Sequence, residues 1–209
     1  MVKISPPKLT IEEKKPFIET DERFYYLNGE FKENPAGRIL LRGITFDSCL
    51  FDHIDFSLIE LNNVSLIDCE FRNCDLSNLN FDFTQIRRCL FKECRLVGTS
   101  FIEANLRDVR IANSKCQLAN LSQSHVNRLL FEDCDCRQIY FNNAETTALQ
   151  FARCDLKRAE MCQCRLKGTD LSSCEIEGIV TDAASVRGLK VSRWQASELI
   201  RIFGIEISD

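Results

Sequence analysis

The chain has 209 residues, 44% hydrophobic and 28% charged, with a formal net charge of −4. That is enough apolar material for one or two cored domains, and it excludes the strongly basic balance of a general nucleic-acid binder. The opening MVKISPPKLTIEEKK lacks the apolar stretch of a signal peptide, and no run of about 18 apolar residues predicts a membrane span. The expected compartment is therefore the cytoplasm, where the twelve cysteines stay reduced.

In chain order, the first segment differs from the rest. All four prolines precede residue 36, and residues 1–23 read as an N-terminal arm or cap. From residue 24 a beat of five begins. Tyr26 and Phe31 keep it, with Phe24 and Gly29 two places before them, and an irregular turn is expected at ENPAG.

From Leu41 to Ile176 the beat is unbroken. Every fifth residue is large and apolar, as in Phe46, Phe51, Phe56, Leu61, Leu66 and Phe71, with Thr146 the clear polar exception. The residue two places earlier is small or apolar: Ile44, Cys49, Ile54, Ile59, Val64, Cys69. Neither column contains a charge. Two inward residues flanking one outward residue is strand alternation, and two further polar residues make a corner. A period of five matches neither 3.6 nor 3.5, so the repeat is not a helix. Gly43, Gly98, Gly168 and Gly178 all fall two places after the large residue, where a turn can require positive φ.

The units CDLSN (74–78), ANLRD (104–108), ANLSQ (119–123) and TDLSS (169–173) resemble the pentapeptide-repeat family. The resemblance implies an all-β solenoid: a right-handed quadrilateral β-helix over residues 24–191, with about four units per coil. Residues 39–178 would then make seven coils, a rod roughly 34 Å long at the strand spacing of about 4.8 Å. Phe51, Phe71, Phe91, Ile111, Phe131 and Phe151 become one inward stack, and Cys74, Cys94, Ser114, Cys134, Cys154 and Cys174 another. The cysteines read as small core residues, because stacked neighbours have parallel Cα–Cβ vectors unsuited to disulfides. Only Cys162 points outward. Zinc is the other reading of Cys134-x-Cys136 and Cys162-x-Cys164, but no histidine lies at ligand spacing.

The period changes after residue 191. Ser192 and Gln195 form a capping box, Ala196, Leu199, Ile200 and Phe203 share one helical face, and Gly204 is a stop. Residues 192–209 are thus a C-terminal α-helix and tail. GLKVSRWQASELIRIFGIEI resembles the close of the Qnr-type (quinolone-resistance) members, with Gln195-Ala196 and Gly204-Ile205 at the matching places. The resemblance implies a homodimer joined end to end through this helix, with Trp194, Leu199, Ile202, Phe203 and Ile205 as the interface. A monomeric cap over the last coil is the other reading.

No catalytic set, cofactor site or metal site can be assembled. His53 and His125 are outward and far apart, and no phosphate loop or dinucleotide fingerprint is present. Asp55, Asp75, Asp135, Asp155 and Glu175 share an outward column and read as solvated turn residues. The protein is expected not to be an enzyme and to need no cofactor. The Qnr-type resemblance implies a DNA mimic that binds DNA gyrase or topoisomerase IV and reduces fluoroquinolone poisoning. The candidate partner surface is one net-negative face with Glu60, Asp82, Glu103, Glu160 and Asp182 against Arg42. The adjacent face is net-positive, with Arg87, Arg88, Arg107, Arg128, Arg165, Lys167 and Arg187 against Asp47, Asp68, Asp108 and Glu145. No interrupting loop fits between 41 and 176, unlike several Qnr-type proteins. A general interaction scaffold is the alternative, with outward Leu50, Leu90 and Leu130 or Phe83, Ile102 and Tyr140 as its apolar surface.

Overall fold

The computed structural model describes residues 3–14, 25–201 and 204–205. It is a parallel β-solenoid of about 8 turns closed by one short helix. The strands are β1 (Glu13–Lys14), β2 (Tyr25–Leu27), β3 (Gly29–Phe31), β4 (Ile39–Arg42), β5 (Thr45–Asp47), β6 (Leu50–Asp52), β7 (Ile59–Asn62), β8 (Ser65–Ile67) and β9 (Glu70–Arg72). The long β10 (Gln85–Lys92), β11 (Asn105–Ala112), β12 (His125–Glu132) and β13 (Glu145–Ala152) follow, then β14 (Glu160–Met161), β15 (Val180–Thr181) and the helix α1 (Arg193–Ile200). Pairing is parallel with a twenty-residue offset, Gln85 to Asn105 to His125 to Glu145. A coil is therefore four five-residue sides.

Face 1 is centred on Tyr26, Phe46, Leu66, Ile86, Leu106 and Val126, and face 2 on Phe31, Phe51, Phe71, Phe91, Ile111, Phe131 and Phe151. Face 3 is centred on Phe56, Leu76, Leu96, Cys116, Cys136 and Leu156, and face 4 on Leu41, Leu61, Phe81, Phe101, Leu121, Phe141 and Met161. All are buried. In-register pairing places identical side chains one strand spacing apart. Phe31, Phe51, Phe71 and Phe91 accordingly stack with ring centroids 4.6–4.8 Å apart. Ile111 interrupts the column before Phe131 and Phe151 resume it at 5.1 Å. Thr146, the polar exception, is buried and donates its hydroxyl to the Arg165 carbonyl, which removes the cost of an unpaired hydroxyl.

The small inward column has its own chemistry. The thiols of Cys49, Cys69, Cys74, Cys89, Cys94 and Cys134 donate to carbonyls 23 residues earlier, at 3.3–3.6 Å. The Thr99 hydroxyl does the same to Leu76 at 2.8 Å. A small side chain with a weak donor fits a site where coil meets coil. All twelve cysteines are free, and only Cys162 is not buried.

The corners explain the polar pair in each unit. The residue two after the large one has φ of about +50° to +86° at almost every corner. The four glycines singled out above obey this, and so do many residues with a Cβ, Asn63, Asn73 and Asn78 among them. Asn and Asp tolerate this region. The residue before the large one is often Asp or Asn because its side chain accepts the amide two residues on: Asp75 from Ser77 at 3.0 Å, Asn80 from Asp82 at 2.7 Å, Asp155 from Lys157 at 3.0 Å. At ENPAG no strand forms. There the Asn34 side-chain oxygen accepts the Asp55 amide at 2.8 Å, where the next coil uses the Ile54 carbonyl for Asp75.

The two ends are closed differently. At the N-terminal end β1 pairs with β3, Glu13 opposite Gly29 and Lys14 opposite Glu30, covering the open edge of face 2. At the other end α1 begins with the expected capping box, Ser192 and Gln195 bonding reciprocally. The Gln195 amide then donates to the Leu171 and Cys174 carbonyls at 2.8 and 2.6 Å. These carbonyls belong to the last turn. Gly204 has φ +69°, as its stop position requires. Phe24, Ile202 and Phe203 lie outside the described residues.

Candidate interaction surface

Each outward column is a line of side chains one coil apart, so charge neighbours are set by the twenty-residue offset. On faces 2 and 3 opposite charges meet. Arg72 binds Glu70, Arg110 and Arg153 bind Glu132, Arg153 binds Asp133, and Arg137 binds Asp135. Asp55, Asp75, Asp135 and Asp155 form a bridged ladder with Arg95 and Lys115 and turn their carboxylates to local amides, as the solvated-turn reading expected.

Face 4 is different. Among the described residues no ion pair involves Glu60, Asp82, Glu103, Glu160 or Asp182. Glu60 and Glu103 are exposed; Asp82, Glu160 and Asp182 are half-buried. The half-buried ones are held by the rod itself. Asp82 accepts the Ser100 hydroxyl and the Ile102 amide, the latter at 2.8 Å. Glu160 accepts the Asn142 amide group at 3.0 Å. Asp182 accepts the Gln163, Ala184 and Ser185 amides. The Gln163 amide first, then the Ser185 hydroxyl and amide, hold its carboxyl down at about 2. The candidate acidic residues thus share one face, two of them free and three fixed in direction. Neighbouring face 1 exposes Arg87, Arg107, Arg165, Lys167 and Arg187.

The corner between faces 1 and 2 carries a feature that the sequence reading missed. Residues 3–14 run along the rod there. The Ser5 amide donates to Asp108 at 3.2 Å and the Lys8 amide to Asp68 at 2.9 Å. Ser48 donates its hydroxyl to the Lys8 carbonyl at 3.1 Å, and the Glu12 amide reaches the Asn28 carbonyl at 3.0 Å. The arm is therefore a strap laid across successive coils, as well as the source of the edge strand β1. Asp68 and Asp108 are buried and each is gripped by an arginine one coil on: Arg88 Nε to Asp68 at 2.7 Å, Arg128 Nε to Asp108 at 2.6 Å, with a second contact from each guanidinium. The stripe Leu50, Leu90, Leu130 beside this corner is also not the exposed surface expected for a scaffold. Leu50 and Leu130 are buried and Leu90 is half-buried.

At the C-terminal end Leu199 packs against the rod's own core, so it serves the cap rather than a free interface. Trp194 is 87% exposed and Ile205 53%. Elsewhere Phe83 stands 64% exposed at a corner with φ +59°, and Leu118 is exposed at another. Ile102 and Tyr140 are half-buried.

Among the described residues no group of three His, Cys, Asp or Glu side chains could hold a metal ion. The His125 ring pairs with Glu145 and the His53 ring with Asp52. Burial pushes the Cys69 and Cys136 thiols up, and that of Cys164 to about 12. The outward Cys162 is also raised, by partial burial and then by Asp182 and Glu160; a raised thiol is a poor nucleophile. Among the described residues no helix is long and apolar enough to cross a membrane.

Family models agree with this geometry. The model described as pentapeptide repeat region matches residues 64–141, and that described as pentapeptide repeats (8 copies) matches 40–78 and 147–179. The chain belongs to the pentapeptide-repeat family. Its solved neighbours include QnrB1, a plasmid-mediated fluoroquinolone resistance protein, at 17% identity over 87% of this chain and 100% of that one, TM-score 0.36. HetL, a pentapeptide-repeat protein involved in heterocyst differentiation regulation from the cyanobacterium Nostoc sp. strain PCC 7120, matches at 12% identity over 79% and 80%, TM-score 0.44. A search of curated proteins finds no match. Pentapeptide-repeat proteins are generally non-enzymatic structural or protein-interaction proteins.

Proposed function

We propose that this pentapeptide-repeat protein is a non-enzymatic, cytoplasmic docking rod. It presents face 4 to the DNA-binding groove of DNA gyrase or topoisomerase IV in place of duplex DNA, and so protects the enzyme from fluoroquinolones. The observation that carries the reading is that Glu60, Asp82, Glu103, Glu160 and Asp182 share one face and that none of them has an ion pair among the described residues, whereas Glu70, Glu132, Asp133 and Asp135 on faces 2 and 3 each meet an arginine. A duplex carries about one negative charge per 1.7 Å of axis, and a groove built for it supplies the cations that face 4 lacks. Unpaired charge steers association with a complementary surface. The C-terminal Gln195-Ala196 and Gly204-Ile205 support the same reading. With them goes a homodimer in which exposed Trp194 and Ile205 are covered end to end, Leu199 remaining with its own rod.

A second reading has its own observation. Phe83 keeps a large exposed ring in a backbone region that favours glycine and asparagine, a combination that suits a contact with some other partner. A gyrase supercoiling assay with and without ciprofloxacin separates the two. Relief of drug inhibition in proportion to added protein, lost in Glu60→Lys/Glu103→Lys, supports the DNA-mimic rod. No relief at any concentration leaves the scaffold.

A further inference from the structure

We propose that the corner between faces 1 and 2 is a peptide-binding groove for an extended, apolar-and-basic segment, occupied in cis by residues 3–14, so that such a segment of a partner can dock only when the strap leaves. The groove has two fixed acceptors, Asp68 and Asp108, forty residues apart and so two coils apart. Two coils span about 9.6 Å along the rod. Ser5 and Lys8 are three residues apart, and three extended residues span about 10 Å. The match lets one extended stretch of chain give one amide to each carboxylate, as observed at 3.2 and 2.9 Å. Arg88 and Arg128 lock the acceptors in place, and each carboxylate still has capacity for the strap amide.

The strap's side chains divide to suit. Ile4, Pro7 and Leu9 are half-buried, while Ser5, Lys8 and Thr10 are exposed. Leu50 and Leu130, on the face beside this corner, are buried as well. Recognition is of backbone amides by fixed acceptors, with apolar side chains partly buried along the corner and a positive charge beside Asp68. That is the chemistry of an extended segment added to a rigid surface. The strap is held by few bonds relative to the coils beneath it. It is therefore the first part of the molecule to open.

The test uses the full chain with Ser5→Pro and Lys8→Pro, which removes the two donating amides and leaves the rod untouched. Hydrogen exchange over residues 3–14 should rise at least tenfold in this variant, with the rod's exchange unchanged. A fluorescein-labelled synthetic peptide of residues 1–14 should then bind the variant at least tenfold more tightly than it binds wild type, read by anisotropy. The same peptide carrying proline at positions 5 and 8 should not bind either protein. Unchanged exchange in the variant would show that these bonds do not hold the strap. Equal affinity of the two peptides, or no binding to a variant whose strap has opened, would overturn the groove.

Discussion

Asp68 and Glu60 lie within one coil of each other, yet they have opposite fates. Asp68 sits at a corner, buried, gripped by Arg88 and bonded by the Lys8 amide. Glu60 sits mid-face on the neighbouring side of the spool, exposed and without an ion pair among the described residues. The difference is one of column rather than residue type. At the strap corner the twenty-residue offset alternates acid and base, Asp68, Arg88, Asp108, Arg128. On face 4 it brings carboxylates together with Asn, Ser and Cys. One corner uses its charge to hold the molecule's own arm; one face leaves its charge without an ion pair among the described residues.

The comparison breaks most easily at Arg88. Arg88→Ala strands a buried Asp68 carboxylate, and should cost about 3 kcal/mol in a denaturant melt. A loss near zero would mean that the corner is solvated after all. Acid should loosen the strap next. Burial works against the Asp68 charge, but Arg88, then the Lys8 amide and the Lys8 charge, hold its carboxyl below the ordinary 3.8. At Asp108 the Arg128 contact comes first, opposed by burial and helped by the Ser5 amide and Arg107. Both are lowered carboxylates. Their contribution is complete above pH 3.8 and fades as the pH falls through the lower folded value. Hydrogen exchange of residues 3–14 should therefore change little from pH 7 to 5, apart from its intrinsic rate, and protection should begin to fall only below pH 3.8 and be lost as the pH passes the lower folded values.

Phe83→Asn tests whether a face 4 corner keeps its ring for stability. The ring is exposed and its φ suits asparagine, so the variant should gain about 0.5–1 kcal/mol; a loss would mean that the ring packs usefully. The smallest effect belongs to the free acids. Glu60→Gln with Glu103→Gln should shift stability by less than about 0.5 kcal/mol, while association with a basic partner slows and loses much of its salt dependence. If stability falls as it does for Arg88→Ala, face 4 is structural too.

Much of this molecule could be read from residue spacing. The inward columns, the aromatic stack through Phe51, Phe71 and Phe91, the free cysteines and the capping box at Ser192 all follow from local rules. Each such residue does the same thing in every coil, and repetition makes a weak signal strong. The positive φ at Gly43 and Gly98 was legible for the same reason. That Phe83, Leu118 and Arg88 share this backbone was not, because their side chains argue against it and only the closed coil imposes it. The buried state of Leu50 and Leu130 was also hidden. Their outward register was right, and nothing in that register says that they are covered. For Leu199 an amphipathic face was visible, but whether it covers its own rod or another was not.

What the sequence by itself determined is the coil: a five-residue beat sorts every side chain into inside, outside or corner, because strand alternation and a left-handed turn are local. What only the tertiary structure decided is which outward residues become neighbours, which acids find arginines, and where a segment without the beat comes to lie. Those depend on contacts between residues twenty, sixty or a hundred apart, and no local rule carries over such distances.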